Sequence, residues 1–291
     1  RLLQWHGTFS IDREGTDLQA FKQAVKIVQE APFPLVIFPE GEVYHCNDRV
    51  TPFREGAAMV ALSAAKRAKR PVVCVPCAMK YEYLEDPTES LLRSMAELER
   101  NVYWRPRPED PLDKRIYKLA DALLALKEME FYGHATEGPL PERVDALAKH
   151  ILRRLEQKHE LEPGDSTVPE RVKELRRRTL AELEDLEPED RQRKQFNDDL
   201  DDLFLVVQLF SYPGDYVSES PTIERLAETL DKFEEDALSR FAARPRAARK
   251  ATIYLGDPIP VEGTRKREAA AELTDLLEQR VQEMLDAHAA G

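Results

Sequence analysis

Glu40 stands where a carboxylate can do chemistry. It follows Pro34-Leu35-Val36-Ile37-Phe38-Pro39 and precedes Gly41. An uninterrupted apolar run of this kind predicts a strand buried on both faces. Pro39 and Gly41 end it, which leaves Glu40 at the strand's carboxyl end, the edge where open α/β sheets bind ligands. A carboxylate there accepts hydrogen bonds from a hydroxyl-bearing substrate or holds a catalytic group. The competing reading is a strand followed by a turn that happens to contain Glu. Cys74-Val75-Pro76-Cys77 has the C-x-x-C spacing of a redox pair, but that chemistry needs a helix N-terminus to lower a thiol pKa. Val72, Val73 and Val75 instead predict a strand, in which residues three apart face opposite ways.

The elements that must position Glu40 follow from periodicity. Phe9 and Ile11 alternate with polar neighbours as in a strand. Thr16 can cap a helix in which Leu18, Phe21, Val25 and Val28 recur to about Glu30. The polar connection from Val43 to Pro52 suits a site loop. A helix from Phe53 to about Lys69 carries small residues for close packing, and Arg67, Lys69 and Arg70 complement its C-terminal dipole. Pro71 stops it before a strand from Val72 to Met79. This order predicts an α/β fold, a mostly parallel sheet flanked by helices with right-handed crossovers.

From about Glu85 the chain becomes highly charged and reads as helices. One apolar stripe is Leu112, Ile116, Leu119, Leu123 and Leu126; another is Val144, Leu147, Ile151 and Leu155; a weaker third is Val172, Leu175 and Leu183. Pro141-Glu142-Arg143-Val144 recurs as Pro169-Glu170-Arg171-Val172, which is either a degenerate helical repeat or shared helix-start chemistry. Leu203 to Phe210 is nearly all apolar and is expected to be buried. Ala251 to Leu255 reads as a strand and residues 266–288 as a final helix. The expected organisation is therefore a core of residues 1–84, a large all-helical insertion at 85–249, and the core's last strand and helix at 250–291.

The chain has 291 residues with 43 Lys and Arg against 55 Asp and Glu, a net charge of −12. That balance argues against nucleic acid as the partner. Residues 1–80 carry 11 Lys and Arg against 8 Asp and Glu, and the remainder 32 against 47, so the chemistry-bearing part is the less acidic part, as anionic substrates or lipid head groups require. Three cysteines suit a reducing compartment. No apolar run is long enough to span a bilayer, and no signal peptide is visible. A start at Arg1 without Met reads as a fragment, with any preceding anchor outside it.

Four blocks stand in order: Gly7-Thr8-Phe9-Ser10-Ile11-Asp12-Arg13, Phe38-Pro39-Glu40-Gly41, Phe53-Arg54-Glu55-Gly56, and Val75-Pro76-Cys77-Ala78-Met79. Together they resemble the glycerolipid acyltransferase family that includes the 1-acylglycerol-3-phosphate acyltransferases, over roughly the first third of the chain. Gly256-Asp257-Pro258-Ile259 is similar to that family's closing segment. The resemblance implies transfer of a fatty acyl group from acyl-CoA or acyl-carrier protein to a hydroxyl of a glycerol phosphate or lysophospholipid, in phospholipid biosynthesis. It implies a peripheral place on the cytoplasmic membrane face, no cofactor beyond the thioester co-substrate, and no metal. It makes Arg13 a phosphate ligand, although an ion pair with Glu14 or Asp17 is its other reading. It makes Glu40 and Gly41 the acceptor-binding pair and Pro76 part of an acyl pocket, and it allows Arg54, just before a helix start, to meet a donor phosphate.

Two features depart from that pattern. The family's base is the His of an H-x-x-x-x-D motif that precedes the first block, and none of the six histidines here fits it; His6 has Ile11 five positions on. No catalytic residue is therefore assigned, and the motif is expected before residue 1. The family also reads F-P-E-G-T-R or F-P-E-G-T-S where this chain has Glu42-Val43, which leaves Arg49 as a cation that can substitute from the loop. Three readings stay open: the acyltransferase, the same reaction on a different lyso-lipid acceptor, and a non-catalytic lipid-binding or scaffold protein. The helical insertion is expected to shape the donor entrance or bind a protein partner.

Overall fold

The structure is a computed structural model describing residues 7–11, 17–41, 43–102, 104–162, 166–184, 186–187, 192–212, 214–217, 221–238, 242, 244–264, 266 and 268–288. The chain divides into two compact units, Arg1–Pro87 with Pro245–Gly291, and Thr88–Arg244. The first holds α1 (Leu18–Glu30), α2 (Gly56–Ala65), β1 (Val72–Cys74), β2 (Cys77–Tyr83), β3 (Arg249–Leu255), β4 (Ile259–Val261) and α9 (Ala269–Ala287). The second holds α3 (Thr88–Asn101), α4 (Leu112–Tyr132), α5 (Leu140–Lys158), α6 (Val168–Glu184), α7 (Gln192–Ser211) and α8 (Ile223–Leu238).

In the first unit the strand pairing is antiparallel. Val72 lies opposite Val261 and Cys74 opposite Ile259; Cys77 lies opposite Leu255 and Tyr83 opposite Arg249. The two ladders follow each other along the same two segments and break where Val75-Pro76 faces Gly256-Asp257-Pro258. The unequal count makes a bulge, and the prolines there lack the N–H a ladder needs. Gly256 N–H bridges the break to the Pro76 carbonyl at 2.9 Å. A Cβ on Gly256 would stand 2.9 Å from Met284 Sδ and 3.5 Å from Pro76 Cβ, so a larger residue here would make the Met284 side chain shift.

The parallel sheet expected from the strand–helix–strand order is not found among the described residues, because the strands after the helical unit run back along residues 72–83. The expected central strand at residues 34–38 is also not a strand. A buried strand needs neighbours for its N–H and C=O groups, and here the ribbon strands pair with each other. Val36 and Phe38 are 72% and 70% exposed. Residues 8–11 likewise form no strand.

Side chains alternate across the ribbon. Val72, Pro76 and Ala78 are buried. Val72 packs with Val261 against Ala61 and Ala64 of α2, and Ala78 packs against Val281 and Leu285 of α9. The other face shows exposed Val73, Val75, Met79, Tyr81, Ile253 and Leu255. Gln29 Nε2 donates to Ala64 O at 3.1 Å at the end of α2. The Arg70 guanidinium serves α1 instead of α2, donating to Val28 O at 3.0 Å and to Ala31 O. The cap of α1 is Asp17, whose carboxylate accepts from Ala20 N–H at 2.8 Å; Thr16 lies outside the described residues.

In the second unit α4, α5 and α6 begin at residues 112, 140 and 168, a spacing of 28. The fourth residue of each is an Arg that grips a Glu of the preceding helix through two hydrogen bonds. Arg115 holds Glu99 at 2.9 and 2.7 Å, Arg143 holds Glu128 at 2.9 and 2.8 Å, and Arg171 holds Glu156 at 2.7 and 2.8 Å. The next residue is buried in every case, as Ile116, Val144 and Val172, and so is the one three further on, as Leu119, Leu147 and Leu175. Residues 141–144 and 169–172 thus belong to a repeated helix of which residues 113–116 are a third copy. The pattern fades in α7, where Leu203 keeps the buried position but Asp199 stands at the Arg position and binds Lys158. Two apolar residues expected inside, Leu126 and Phe204, are exposed.

Candidate acceptor site

The site is built from a loop with no regular structure of its own, and its backbone groups are answered by side chains from elsewhere. Asn47 is buried and pairs with both backbone groups of Tyr81 in β2: Asn47 Nδ2 donates to Tyr81 O and Tyr81 N–H donates to Asn47 Oδ1, each at 2.6 Å. Gln282 of α9 does the same for the loop, taking Val50 N–H on Oε1 and giving Nε2–H to Asp48 O, each at 3.0 Å. One turn earlier on that face, Glu278 accepts from Phe53 N–H at 2.7 Å.

These bonds hold Thr51 against Glu40. Thr51 donates its backbone N–H at 3.0 Å, and its hydroxyl hydrogen, to the same carboxylate oxygen, Oε2. Arg54 N–H donates to Pro39 O at 2.9 Å, closing the loop on itself. Gly41 has φ +77°, and a Cβ there would stand 2.6 Å from Arg54 Nε and 2.7 Å from Cζ. The guanidinium therefore lies directly on the Gly41 backbone. It also stands just before α2, whose first-turn N–H groups no helical carbonyl takes. A fixed cation, the N-terminal end of a helix dipole and a carboxylate whose second oxygen receives no hydrogen bond from the described residues suit a small molecule with an anionic group and a hydroxyl.

Of the five residues singled out in the sequence, the structure brings Glu40, Gly41 and Arg54 together. Arg54 is the cation nearest the Gly41 Cβ position. Pro76 stands at the ribbon bulge against Gly256 and Met284. Arg13 lies outside the described residues, as do His6 and Glu42. Asn47, Thr51, Glu278 and Gln282 were not legible as site residues. Their only sequence signal is the four-residue spacing that puts Glu278 and Gln282 on one helix face.

Other candidate groups resolve into packing. Among the described residues Cys46, Cys74 and Cys77 form no disulfide, and burial pushes the Cys74 thiol above its ordinary pKa, away from redox reactivity. His159 Nδ1 lies 2.9 Å from Glu182 Oε1 and its Nε2 3.2 Å from the Thr179 hydroxyl, the outline of an acid–base–nucleophile triple. Thr179 is nevertheless buried and donates to Leu175 O at 2.9 Å, so no substrate reaches it. Among the described residues no group of three or more His, Cys, Asp or Glu could hold a metal ion.

No curated protein and no solved structure matches the chain. Residues 1–80, which contain Glu40, Gly41, Arg54 and Pro76, match the family model described as Acyltransferase.

Proposed function

We propose that the chain supplies the acceptor-binding part of an acyl-transfer site, for a fatty acyl group moving from acyl-CoA or acyl-carrier protein to a hydroxyl of a glycerol phosphate or lysophospholipid in phospholipid biosynthesis. The observation that carries this reading is the seating of Arg54 on Gly41 beside Glu40. In it Glu40 accepts a hydrogen bond from an acceptor hydroxyl, and Arg54 with the start of α2 takes the phosphate. The acceptor oxygen attacks the thioester carbonyl carbon, its proton passes to a general base, and the thiolate leaves. No histidine of the chain fits H-x-x-x-x-D, so the base is not assigned to any of these residues, and the thioester is the only co-substrate required.

The protein would work peripherally at the cytoplasmic membrane face. No described helix is long and apolar enough to cross a membrane, and exposed Val36, Ile37 and Phe38 stand immediately before the site, where lipid chains would lie. The exposed run Val36-Ile37-Phe38 equally suits a second reading, a lipid-binding protein without turnover.

Titration of the chain with glycerol 3-phosphate and with lysophosphatidic acid tests the proposal. One of the two is expected to bind, and Arg54→Ala to weaken it roughly tenfold, the loss of one charge-assisted contact. Failure to bind either compound, or equal binding by Arg54→Ala, would refute the acceptor site. Incubation with acyl-CoA and either acceptor is expected to give no turnover above background, since a missing general base costs about 10²–10⁴-fold. Turnover would mean that another group serves as base.

A further inference from the structure

The C-terminal helix α9 lies outside residues 1–80, yet it supplies the struts of the Glu40 loop. Three backbone groups of that loop, Asp48 O, Val50 N–H and Phe53 N–H, end on two side chains of α9. Between them stands Thr51, the only described residue seen to donate to the Glu40 carboxylate. One residue beyond Phe53 is Arg54, whose own N–H is tied to Pro39 O and whose guanidinium rests on Gly41. The helix is also packed through Val281 and Leu285 on Ala78 of β2, in a cluster that Val50 and Phe53 of the loop join. A path of direct contacts therefore runs from a helix some 230 residues away in sequence to the two groups assigned to the acceptor.

We infer that Glu278 and Gln282 are positioning residues for acceptor binding: they hold residues 48–53 so that Thr51 orients the Glu40 carboxylate and Arg54 stays on Gly41. This rests on the proposed function for the identity of the ligand but not for the positioning itself. The chemistry of the two side chains makes separable demands. Glu278 acts only as an acceptor for Phe53 N–H, so Gln, which keeps a carbonyl oxygen, serves equally well. Gln282 must both accept and donate. Glu in its place keeps the bond to Val50 N–H and loses the one to Asp48 O, setting a carboxylate against a carbonyl oxygen.

The experiment compares wild type with Glu278→Ala, Glu278→Gln, Gln282→Ala and Gln282→Glu in the whole chain. Two quantities are read: glycerol 3-phosphate affinity, and amide hydrogen exchange at Val50, Thr51 and Phe53 against Met79 and Ile253 in the ribbon. Glu278→Ala, Gln282→Ala and Gln282→Glu are expected to speed exchange in the loop while the ribbon amides keep their wild-type rates, and to weaken binding about tenfold. Glu278→Gln is expected to restore both within about twofold. Unchanged loop exchange overturns the inference. So does equal acceleration in the ribbon, which would make the residues general stabilisers, and so does a loosened loop with unchanged affinity. If wild type binds no glycerol 3-phosphate, the acceptor reading fails, while exchange at Thr51 still decides whether α9 positions the loop.

Discussion

Gly41 shows at the residue scale why a motif glycine cannot be exchanged. Its φ of +77° lies in the left-handed region, where a Cβ costs about 1–2 kcal/mol. That Cβ would also fall 2.6 Å from Arg54 Nε, so the guanidinium must leave its seat. Gly41→Ala is therefore expected to act twice. It should lower unfolding stability by about 1 kcal/mol and weaken glycerol 3-phosphate binding at least as much as Arg54→Ala does. In the Gly41→Ala/Arg54→Ala double variant the second loss should vanish, because the displaced group is already gone. Additive losses in that cycle would show that Gly41 acts independently of Arg54. Glu42 and Val43, which replace the family's Thr and Arg or Ser, mark where the family pattern ceases to specify the site. Arg54 is a cation from the next block that stands on the same glycine.

The helical unit shows at the element scale how buried charge can set a register. Glu128 is fully buried, and burial alone would raise its carboxyl pKa. Hydrogen bonds from Arg143 and Thr136 instead hold it down at about 2, against an ordinary 4.5. Because the folded-state pKa is depressed, the stabilisation is complete above about pH 4.5 and is lost as pH falls through about 2. Glu128→Ala leaves Arg143 buried without its main partner and is expected to cost about 3–5 kcal/mol at neutral pH. Denaturant midpoints followed by far-ultraviolet circular dichroism should also show a shallower loss of stability across that acid range than in wild type; a parallel acid limb would remove Glu128 from the explanation. The helices themselves were legible, since stripes such as Leu147, Ile151 and Leu155 report a local period. The third repeat copy was not, because Asp113-Lys114 stand where the others have Pro-Glu and only the Arg and the buried positions persist. Strand pairing was not legible either: whether residues 72–83 pair parallel or antiparallel depends on a segment at 249–261. Burial of the apolar run at 34–38 does not follow from composition, since Val36 and Phe38 find no strand partner there and stay exposed.

The path of the chain through the ribbon sets the design at the scale of the whole molecule. β2 ends at Tyr83 and β3 begins at Arg249, and these two residues face each other in the ladder. Leu84 N–H extends the pairing by donating to Ala248 O at 2.9 Å. The chain thus leaves the first unit and returns to it at the tip of one antiparallel hairpin, and everything between belongs to a unit with its own buried core. An insertion at a hairpin tip asks nothing of the host beyond closing the turn. The groups holding the Glu40 loop, Asn47, Thr51, Glu278 and Gln282, all belong to the host, as do Arg54 and Pro76. Removing residues 88–244 and joining Pro87 to Pro245 through a short Gly-rich turn is therefore expected to leave a folded protein. Its Val50, Thr51 and Phe53 amides should stay protected, and its glycerol 3-phosphate affinity should lie within about threefold of the whole chain, a change of less than 1 kcal/mol. Circular dichroism, amide exchange and titration of the shortened chain check this directly. A shortened chain that folds yet loses affinity would place part of the acceptor site in the helical unit. One that fails to fold would make that unit a structural requirement of the ribbon, in spite of the adjacent ends.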